Sequence, residues 1–326
     1  MLLPSAWRNW GFNMRHIPVL LNETIDSLQL KPGINIIDCT LGDAGHSEAI
    51  LDKTGPDGRL LGLDADVESV LRAKRNLYRY EGRVTFVHDN FLNLKKVIEE
   101  TKFAPAQGIL MDLGWSSQQF AERGRGFSFN PPAGGDEPLD MRYAAKSQNP
   151  NDKSQNELTA SEILNTYSEV ELAKIFKQYG EEDLSAEIAS AVVAYRKNKK
   201  IEKTNELTEI ILQVYREKLH TDKEVPWVGG IHPATKVYQA LRIEVNHELE
   251  ALRQALPQAV EALSQGGRLA VITFHSLEDR IVKHFFQEME NKTISLVNKK
   301  PIIAGEQELT DNPRSRSAKL RVVEKI

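Results

Sequence analysis

The chain has 326 residues, of which 40% are apolar and 27% are charged, a balance that is typical of a folded protein and excludes a disordered chain. The net charge of −4 excludes a surface coated with Lys and Arg for nonspecific nucleic-acid binding, so any contact with RNA needs local basic patches. The length predicts one large domain plus a smaller one.

Five short runs rich in Ile, Val and Leu predict the strands of a sheet. They lie at residues 34–39, 59–64, 84–88, 108–113 and 269–274. Segments with helical character separate the first four runs, among them residues 67–80 and 94–101. Apolar strands that alternate with helices are typical of a parallel sheet covered on both faces, so the pattern predicts an α/β fold.

Residues 134–225 carry no strand pattern and predict an all-helical insert between the fourth and fifth strands. Ser154 with Glu157 makes a capping-box signal for a helix that extends to about Gly180. Two more helices are predicted at residues 185–196 and 204–219. We expect this insert to recognise the substrate, and residues 1–133 with 226–326 to form the main α/β domain.

After the insert the α/β pattern resumes with a helix. Apolar side chains recur every three or four residues from Val237 to Leu256, which predicts a helix with one apolar face. We expect the pair Gly266-Gly267 to end that helix ahead of the fifth strand.

Polar residues and glycines follow each predicted strand, at the sheet edge where ligands bind in open α/β folds. The loop after the first strand contains Gly42 and Gly45, which let the backbone approach a ligand closely. Asp64 ends the second strand, where a carboxylate can accept hydrogen bonds from both hydroxyls of a ribose. The third glycine of the dinucleotide motif is missing, and Asp38 stands where methyltransferases place an acid near the methionine part of their cofactor. These features favour S-adenosylmethionine over NAD; a tight turn without a ligand is the alternative.

Asp112 ends the fourth strand and is the candidate catalytic residue. The lone pair of an exocyclic amino group, such as that of cytosine, is delocalised into the ring and is a poor nucleophile. A carboxylate that accepts a hydrogen bond from this N–H draws the lone pair toward the methyl carbon and eases loss of the proton. The alternative is that Asp112 only caps a turn. Cys39 lies inside a strand, so we expect it to pack in the core and not to act as a nucleophile.

Later segments have both a functional and a structural interpretation. Residues 123–129 alternate Arg, Gly and Phe, which suits either a grip on phosphates and a flipped base or a solvated loop anchored by two phenylalanines. Residues 195–203 carry five basic residues against one acid, and residues 291–326 carry eight against four, either for RNA or as solvated faces. His275 and Ser276 are candidates for the substrate pocket, whereas Asp279 fits a plain helix start.

Residue types and spacing predict a cytoplasmic protein without a membrane segment or a metal. Cys39 is the single cysteine, so no intramolecular disulfide can form, and no zinc-ligand spacing is present. The apolar runs are far shorter than the ~20 residues of a membrane-spanning helix. Residues 1–13 lack the apolar stretch of a secretory signal, and Met14 directly precedes the first patterned segment, which favours a start site other than Met1.

Ordered motifs distributed along most of the chain resemble those of the ribosomal RNA small-subunit methyltransferase H family, which methylates N4 of a cytidine in the decoding region of bacterial 16S rRNA. The matching segments are residues 16–21, 38–47, 112–119, 125–129, 138–142, 179–182, 232–235, 239–243, 266–268, 274–280 and 312–321. The chain differs from the usual pattern at Ala44, where the family has glycine, at Trp115, and in a longer stretch at residues 130–137.

The resemblance implies a Rossmann-like class I methyltransferase sheet with a helical insert, S-adenosylmethionine as the cofactor, and 16S rRNA or the small ribosomal subunit as the partner. It implies that Phe91 lies against the adenine and that Gln119 helps to close the cofactor pocket. The cofactor contacts that it implies are Ala44, Gly45, His46, Asp64, Phe91, Asp112 and Gln119.

Two other functions remain open from the sequence. One is an NAD-dependent oxidoreductase of the same fold, and the other is an rRNA-binding assembly factor that has lost catalysis, which Ala44 and Trp115 keep open. A homodimer is also left open.

Overall fold

The computed structural model describes residues 17–103, 105–113, 124–129, 136–143, 158–223, 225 and 230–326. Its helices are α1 (Leu21–Ser27), α2 (Gly45–Thr54), α3 (Val67–Asn76), α4 (Leu94–Thr101), α5 (Ala160–Thr166), α6 (Glu169–Gly180), α7 (Ser185–Arg196), α8 (Thr204–Leu219), α9 (Ala234–Asn246), α10 (Glu248–Ala262), α11 (Ser276–Met289) and α12 (Glu306–Asp311). Its strands are β1 (Ile36–Asp38), β2 (Leu60–Asp64), β3 (Val84–His88), β4 (Ala106–Asp112), β5 (Leu263–Thr273), β6 (Ile294–Leu296) and β7 (Lys319–Lys325).

The strands form one sheet in the order β3-β2-β1-β4-β5-β7-β6. The first five strands are parallel, while β7 runs antiparallel to both β5 and β6. Strand β1 lies at the point where the strand order reverses, with Ile37 paired to Leu61 of β2 on one side and to Ile109 of β4 on the other. This order, with β7 inserted antiparallel, confirms the predicted Rossmann-like α/β sheet.

Helices cover both faces of the sheet, as apolar parallel strands require. One face packs under α1, α2 and α3, and the other under α4, α10 and α11. Strands β1 and β2 are buried at every position, so each contributes side chains to both cores.

Five helices, α5 to α9, form a third apolar core around Phe176, which is fully buried. Helix α9 belongs to this core although it lies beyond the predicted insert, because it packs along α6, where Gly180 lets the two helices approach closely. Assignment of residues 134–225 as a separate domain that recognises the substrate stays a prediction.

The first predicted helix of the insert is two helices. Tyr167 takes an extended conformation after α5, and Ser168 then caps α6 through a capping box with Glu171. A similar box with Thr159 begins α5, whereas the predicted box at Ser154 and Glu157 lies outside the described residues.

The predicted helix at residues 237–256 is also interrupted, and its predicted end is wrong. His247 takes a left-handed conformation with φ 49°, which separates α9 from α10. The pair Gly266-Gly267 lies inside β5, where a Cβ on Gly267 would come within 2.8 Å of the Ser264 carbonyl oxygen and 3.1 Å of that of Gln107. The glycines therefore serve close strand pairing at an irregularity in the β4–β5 ladder, and α10 ends at Ala262. Within the described part of the chain, no helix is both long and apolar enough to cross a membrane.

Candidate active site

One pocket opens at the carboxyl ends of the parallel strands, where the sequence predicts a ligand. It holds about 730 Å³ of space, including the solvent at its open mouth. Its lining combines loop residues that follow β1 to β4 with residues of α10 and α11. The lining residues are Cys39, Thr40, Gly42, Asp64, Ala65, Ser69, Asn90, Phe91, Asp112, Leu113, Tyr143, Asn246, Glu248, Ala251, Leu252 and Glu278.

The loop after β1 is held from below by Asp38. Its carboxylate accepts hydrogen bonds from the Ser47 hydroxyl at 2.6 Å and from the Thr40 backbone N–H at 3.0 Å. Burial raises the pKa of Asp38 above its usual value, and these hydrogen bonds only partly offset that effect. Asp38 therefore shapes the loop, and its predicted role near a methionine moiety stays a prediction.

Asp64 lines the pocket at the end of β2. Its carboxylate accepts hydrogen bonds from the backbone N–H groups of Gly42 and Asp66, both at 2.9 Å. These two backbone donors fix the orientation of the Asp64 carboxylate. The fold therefore sets the direction in which its oxygens can accept hydrogen bonds from a ligand. Phe91 follows β3 in a short 3-10 helix and lines the same pocket, so an acid and an aromatic ring lie together as the resemblance implies.

Ala44, Gly45 and His46 do not line the pocket but support the loop that does. Ala44 is fully buried and left-handed with φ 65°, a conformation that glycine adopts without strain. Gly45 begins α2 against the ring of Pro18, where a Cβ would come within 2.3 Å of Pro18 Cγ. Gln119 and Trp115 lie outside the described residues.

Asp112 ends β4 and lines the pocket. Its backbone N–H donates to the Thr40 hydroxyl at 2.8 Å, which ties the end of β4 to the loop after β1. His46 Nδ1 is 3.5 Å from Asp112 Oδ2, and His46 Nε2 is 3.1 Å from the Val19 carbonyl oxygen. Because a carbonyl only accepts, Nε2 carries a proton and Nδ1 faces the Asp112 carboxylate.

The opposite wall of the pocket is polar and was not predicted from the sequence. Glu248 pairs with Arg242 at 2.9 Å and accepts a hydrogen bond from the Tyr143 hydroxyl. Burial raises the pKa of this hydroxyl well above its usual value. Asn246 donates to the Met141 carbonyl and accepts from the Tyr143 N–H. The available signal was the polar Asn246-His-Glu248 sequence inside an otherwise apolar helical pattern.

The predictions for the segment after β5 need correction. His275 caps α11 and Ser276 donates to Glu181 at 2.7 Å, so neither lines the pocket, whereas Glu278 does. The capping box pairs His275 with Glu278, and Asp279 instead forms ion pairs with β7, at 2.7 Å to Arg321.

Residues 124–129 pack against the helical core. Phe129 stacks on His232 at 4.4 Å, and Phe127 stacks on Tyr143 at 5.9 Å. Both rings therefore act as anchors in this structure, as the structural interpretation of the segment expects. Cys39 is buried in the core next to the pocket, and burial raises the pKa of its thiol well above the usual value, which disfavours the nucleophilic thiolate.

The arrangement suits transfer chemistry on a nucleoside-like cofactor. An acid held by two backbone N–H groups, an aromatic ring and a second acid at the end of β4 share one pocket, at the reversal point of the strand order. Cys39 lines that pocket as a buried thiol whose thiolate is disfavoured, which favours direct transfer over a covalent cysteine intermediate.

Two curated relatives match this chain over nearly its full length. A Clostridioides difficile (strain 630) protein named "Ribosomal RNA small subunit methyltransferase H" is 41% identical over 327 residues, covering 95% of this chain and 99% of its own. A protein of the same name from Clostridium botulinum (strain Kyoto / Type A2) is 43% identical over 328 residues, covering 96% and 99%.

Similarity to solved structures is lower. An rRNA methylase from Streptococcus thermophilus matches at 9% identity and a TM-score of 0.40, covering 94% of this chain and 92% of its own. That level supports no inference about function. The model of the MraW methylase family, in contrast, matches residues 13–326. The resemblance predicted from the motifs is thus confirmed, and the chain belongs to the MraW methylase family.

Proposed function

We propose that this chain transfers a methyl group from S-adenosylmethionine to N4 of a cytidine in the decoding region of small-subunit rRNA. The observation that carries the proposal is the position of Asp112 in one pocket with Asp64 and Phe91. The name of the curated relatives, which specifies the small ribosomal subunit, supports the class of substrate. Family membership favours methyl transfer over the NAD-dependent alternative.

The residues present fit this cofactor. Two backbone N–H groups hold Asp64 where ribose hydroxyls can donate to it, Phe91 offers a face for adenine, and the β1 loop closes the third side. When bound, S-adenosylmethionine supplies an electrophilic methyl group on a positively charged sulfur.

Asp112 acts on the acceptor amine. Its carboxylate accepts a hydrogen bond from one N–H, and this bond raises the electron density on N4. The same carboxylate receives the proton that leaves as the N–C bond forms. The hydrogen bond from the Asp112 backbone N–H to the Thr40 hydroxyl holds the Asp112 carboxylate in a fixed position relative to the loop after β1. His46 faces the same carboxylate and limits its rotation.

The catalytic role is tested by Asp112→Asn with labelled cofactor and small subunits that lack the modification. Loss of a preorganised acceptor is expected to lower the transfer rate at saturating cofactor by roughly 10²–10³. Asp183→Asn, an exposed acid on the helical core, serves as the control and should behave as wild type. Transfer by D112N at the wild-type rate would overturn the assignment.

The target nucleotide is tested separately by mass mapping of rRNA cytidines from cells with and without the gene. One cytidine should lose a methyl group in the deletion strain. An unchanged map, or a change at another base, would reject the proposed substrate, and labelled-cofactor assays that show no transfer would favour an assembly factor without catalysis.

Recognition of rRNA is proposed for the helical region and the basic segments. Lys197 and Lys200 are exposed at the end of α7, and Lys199 there is paired with Glu206. Exposed cations at a helix end are suited to phosphate contact. Cytoplasmic localisation and a homodimer stay predictions.

A further inference from the structure

Glu278 is a carboxylate that the fold positions in the pocket without using both of its oxygens. It is 3% exposed and stands at the third position of α11. Its Oε2 accepts from the backbone N–H groups of Phe274 at 2.8 Å and His275 at 3.3 Å, which completes the capping box. No hydrogen bond between described residues uses Oε1. One oxygen therefore anchors the side chain and the other remains an acceptor.

The neighbouring histidine does not occupy that acceptor. His275 Nδ1 accepts from the Glu278 N–H at 3.4 Å, so the proton of the neutral ring is on Nε2. Nε2 lies 3.1 Å from Glu278 Oε1 but outside hydrogen-bond alignment, and it has no hydrogen-bond partner in the described part of the chain. Glu248, His275 and Glu278 approach within 4.8 Å, as in a metal site, but a protonated Nε2 offers no lone pair to a cation. Glu248 is already neutralised by Arg242.

Strand order decides which half of the pocket Glu278 serves. Asp64 and Phe91 follow β2 and β3, Asp112 ends β4, and Glu278 follows β5 on the far side of β4. A nucleoside held by Asp64 and Phe91 would lie on the β1 to β3 side of the pocket. Glu278 therefore faces the half of the pocket left for the acceptor, with Asp112 between it and the cofactor.

We propose that Glu278 Oε1 accepts a hydrogen bond from the exocyclic amino group of the acceptor base and selects bases that carry such a group. This inference rests on the proposed function. An amino group has two protons, and two lining carboxylates, Asp112 and Glu278, are neither assigned to the ribose nor paired with an arginine as Glu248 is. Asp112 receives the proton that is lost as the N–C bond forms and the S–C electron pair returns to sulfur, while Glu278 holds the N–H that remains.

The same pair of acids rejects a carbonyl at that position. Uracil places an oxygen where cytosine has its amine, and two carboxylates that face a carbonyl oxygen repel it and leave their own lone pairs unpaired. Sites built to bind an N–H discriminate strongly against an analogue that lacks it. Glu278 is thus a specificity residue as well as a contact to the substrate.

Glu278→Gln tests this, because glutamine keeps an oxygen for the helix cap and turns an N–H donor toward the amine. Loss of one such bond predicts a kcat/KM for unmethylated small subunits that is roughly 10–100-fold lower, mainly through KM, with calorimetric affinity for the cofactor unchanged. The control is Glu171→Gln, the corresponding capping glutamate of α6, which is exposed outside the pocket. This variant loses a capping carboxylate at an exposed site outside the pocket, and its kcat/KM should stay much closer to wild type than that of E278Q.

Three results would overturn the proposal: E278Q with wild-type kcat/KM, E278Q with an equal loss of cofactor affinity, or wild-type activity that EDTA abolishes and Zn²⁺ restores, which would indicate a cation at the three side chains. If E278Q does not fold, Glu278→Asp keeps the charge but withdraws the oxygen, and the same loss of kcat/KM is expected. Failure of the proposed function itself is distinct, since wild type would then methylate no cytidine.

Discussion

Gly45→Ala should disturb the cofactor loop through a single steric contact. Gly45 begins α2, and a Cβ built on it lies 2.3 Å from Pro18 Cγ and 3.2 Å from Pro18 Cδ. Nonbonded carbon atoms pack at ~3.5–4.0 Å. The contact to Pro18 Cγ is short by roughly 1 Å or more, so α2 and the segment around Pro18 must move apart by about that distance. The proline ring cannot rotate away, and the neighbouring Val19 carbonyl and Leu20 N–H are already bonded to His46 and to Glu308, the latter at 2.7 Å.

Overpacking of this kind costs about 1–3 kcal/mol in free energy of unfolding. Urea denaturation of G45A should show that loss with an unchanged slope, and calorimetry should show weaker cofactor binding. Gly305→Ala is the matched control, because a Cβ there has nothing within 4 Å and its φ of −74° suits alanine. We expect G305A to stay within about 0.5 kcal/mol of wild type.

Pro18→Ala provides the internal check. It removes Cγ and Cδ and leaves Pro18 Cβ at 3.5 Å from the new methyl group, an ordinary contact. In a double-mutant cycle, Gly45→Ala should lower the free energy of unfolding much less in the P18A background than in wild type. A G45A protein as stable as G305A, or a cycle without coupling, would refute the steric argument.

Three further predictions concern stability and binding. Burial would raise the pKa of Asp279, but hydrogen bonds and charge from Arg321 and Lys319 lower the pKa below the usual 3.8. The stability that Asp279 contributes is therefore present above pH 3.8 and is lost as the pH falls through the lower pKa of the folded state. Urea titrations at successive pH values should show a smaller loss of stability in acid for Asp279→Asn than for wild type. Phe176→Ala should cost about 3–5 kcal/mol by denaturation, against under about 0.5 for Val170→Ala at a 78% exposed site, and equal effects would contradict the placement of the core. Asp64→Asn should weaken cofactor binding about tenfold or more, by loss of a charge-assisted acceptor for ribose, and unchanged calorimetric affinity would remove Asp64 from the site.

The positions of the functional residues show how far sequence patterns reach. Asp64 and Asp112 end β2 and β4, and Phe91 follows β3; each strand has a local apolar run, so their convergence at one sheet edge was predictable. The resemblance also implies cofactor contacts from Ala44 and Gly45, which stand at the start of α2 and are not among the lining residues, so these contacts stay a prediction.

The opposite wall depends on contacts that are distant in sequence. Tyr143 and Glu248 meet across 105 residues, and Glu278 joins them from a third element. Their pairing depends on the left-handed break at His247, which no apolar period reveals because the pattern of buried side chains continues through it.

The sequence by itself determined the parallel sheet, the helices around it and the identity of the acids at the strand ends, since these follow from local periodicity and from the motifs of the family. Strands β6 and β7 were not predicted, because β6 is an edge strand of only three residues and charged residues interrupt the apolar pattern of β7. Their places are decided by pairing, of β7 with β5 and of β6 with β7. Only the tertiary structure decided which polar groups face the pocket and which are hydrogen-bonded to one another. The reason is that these hydrogen bonds join residues that are distant along the chain and meet only in the folded protein.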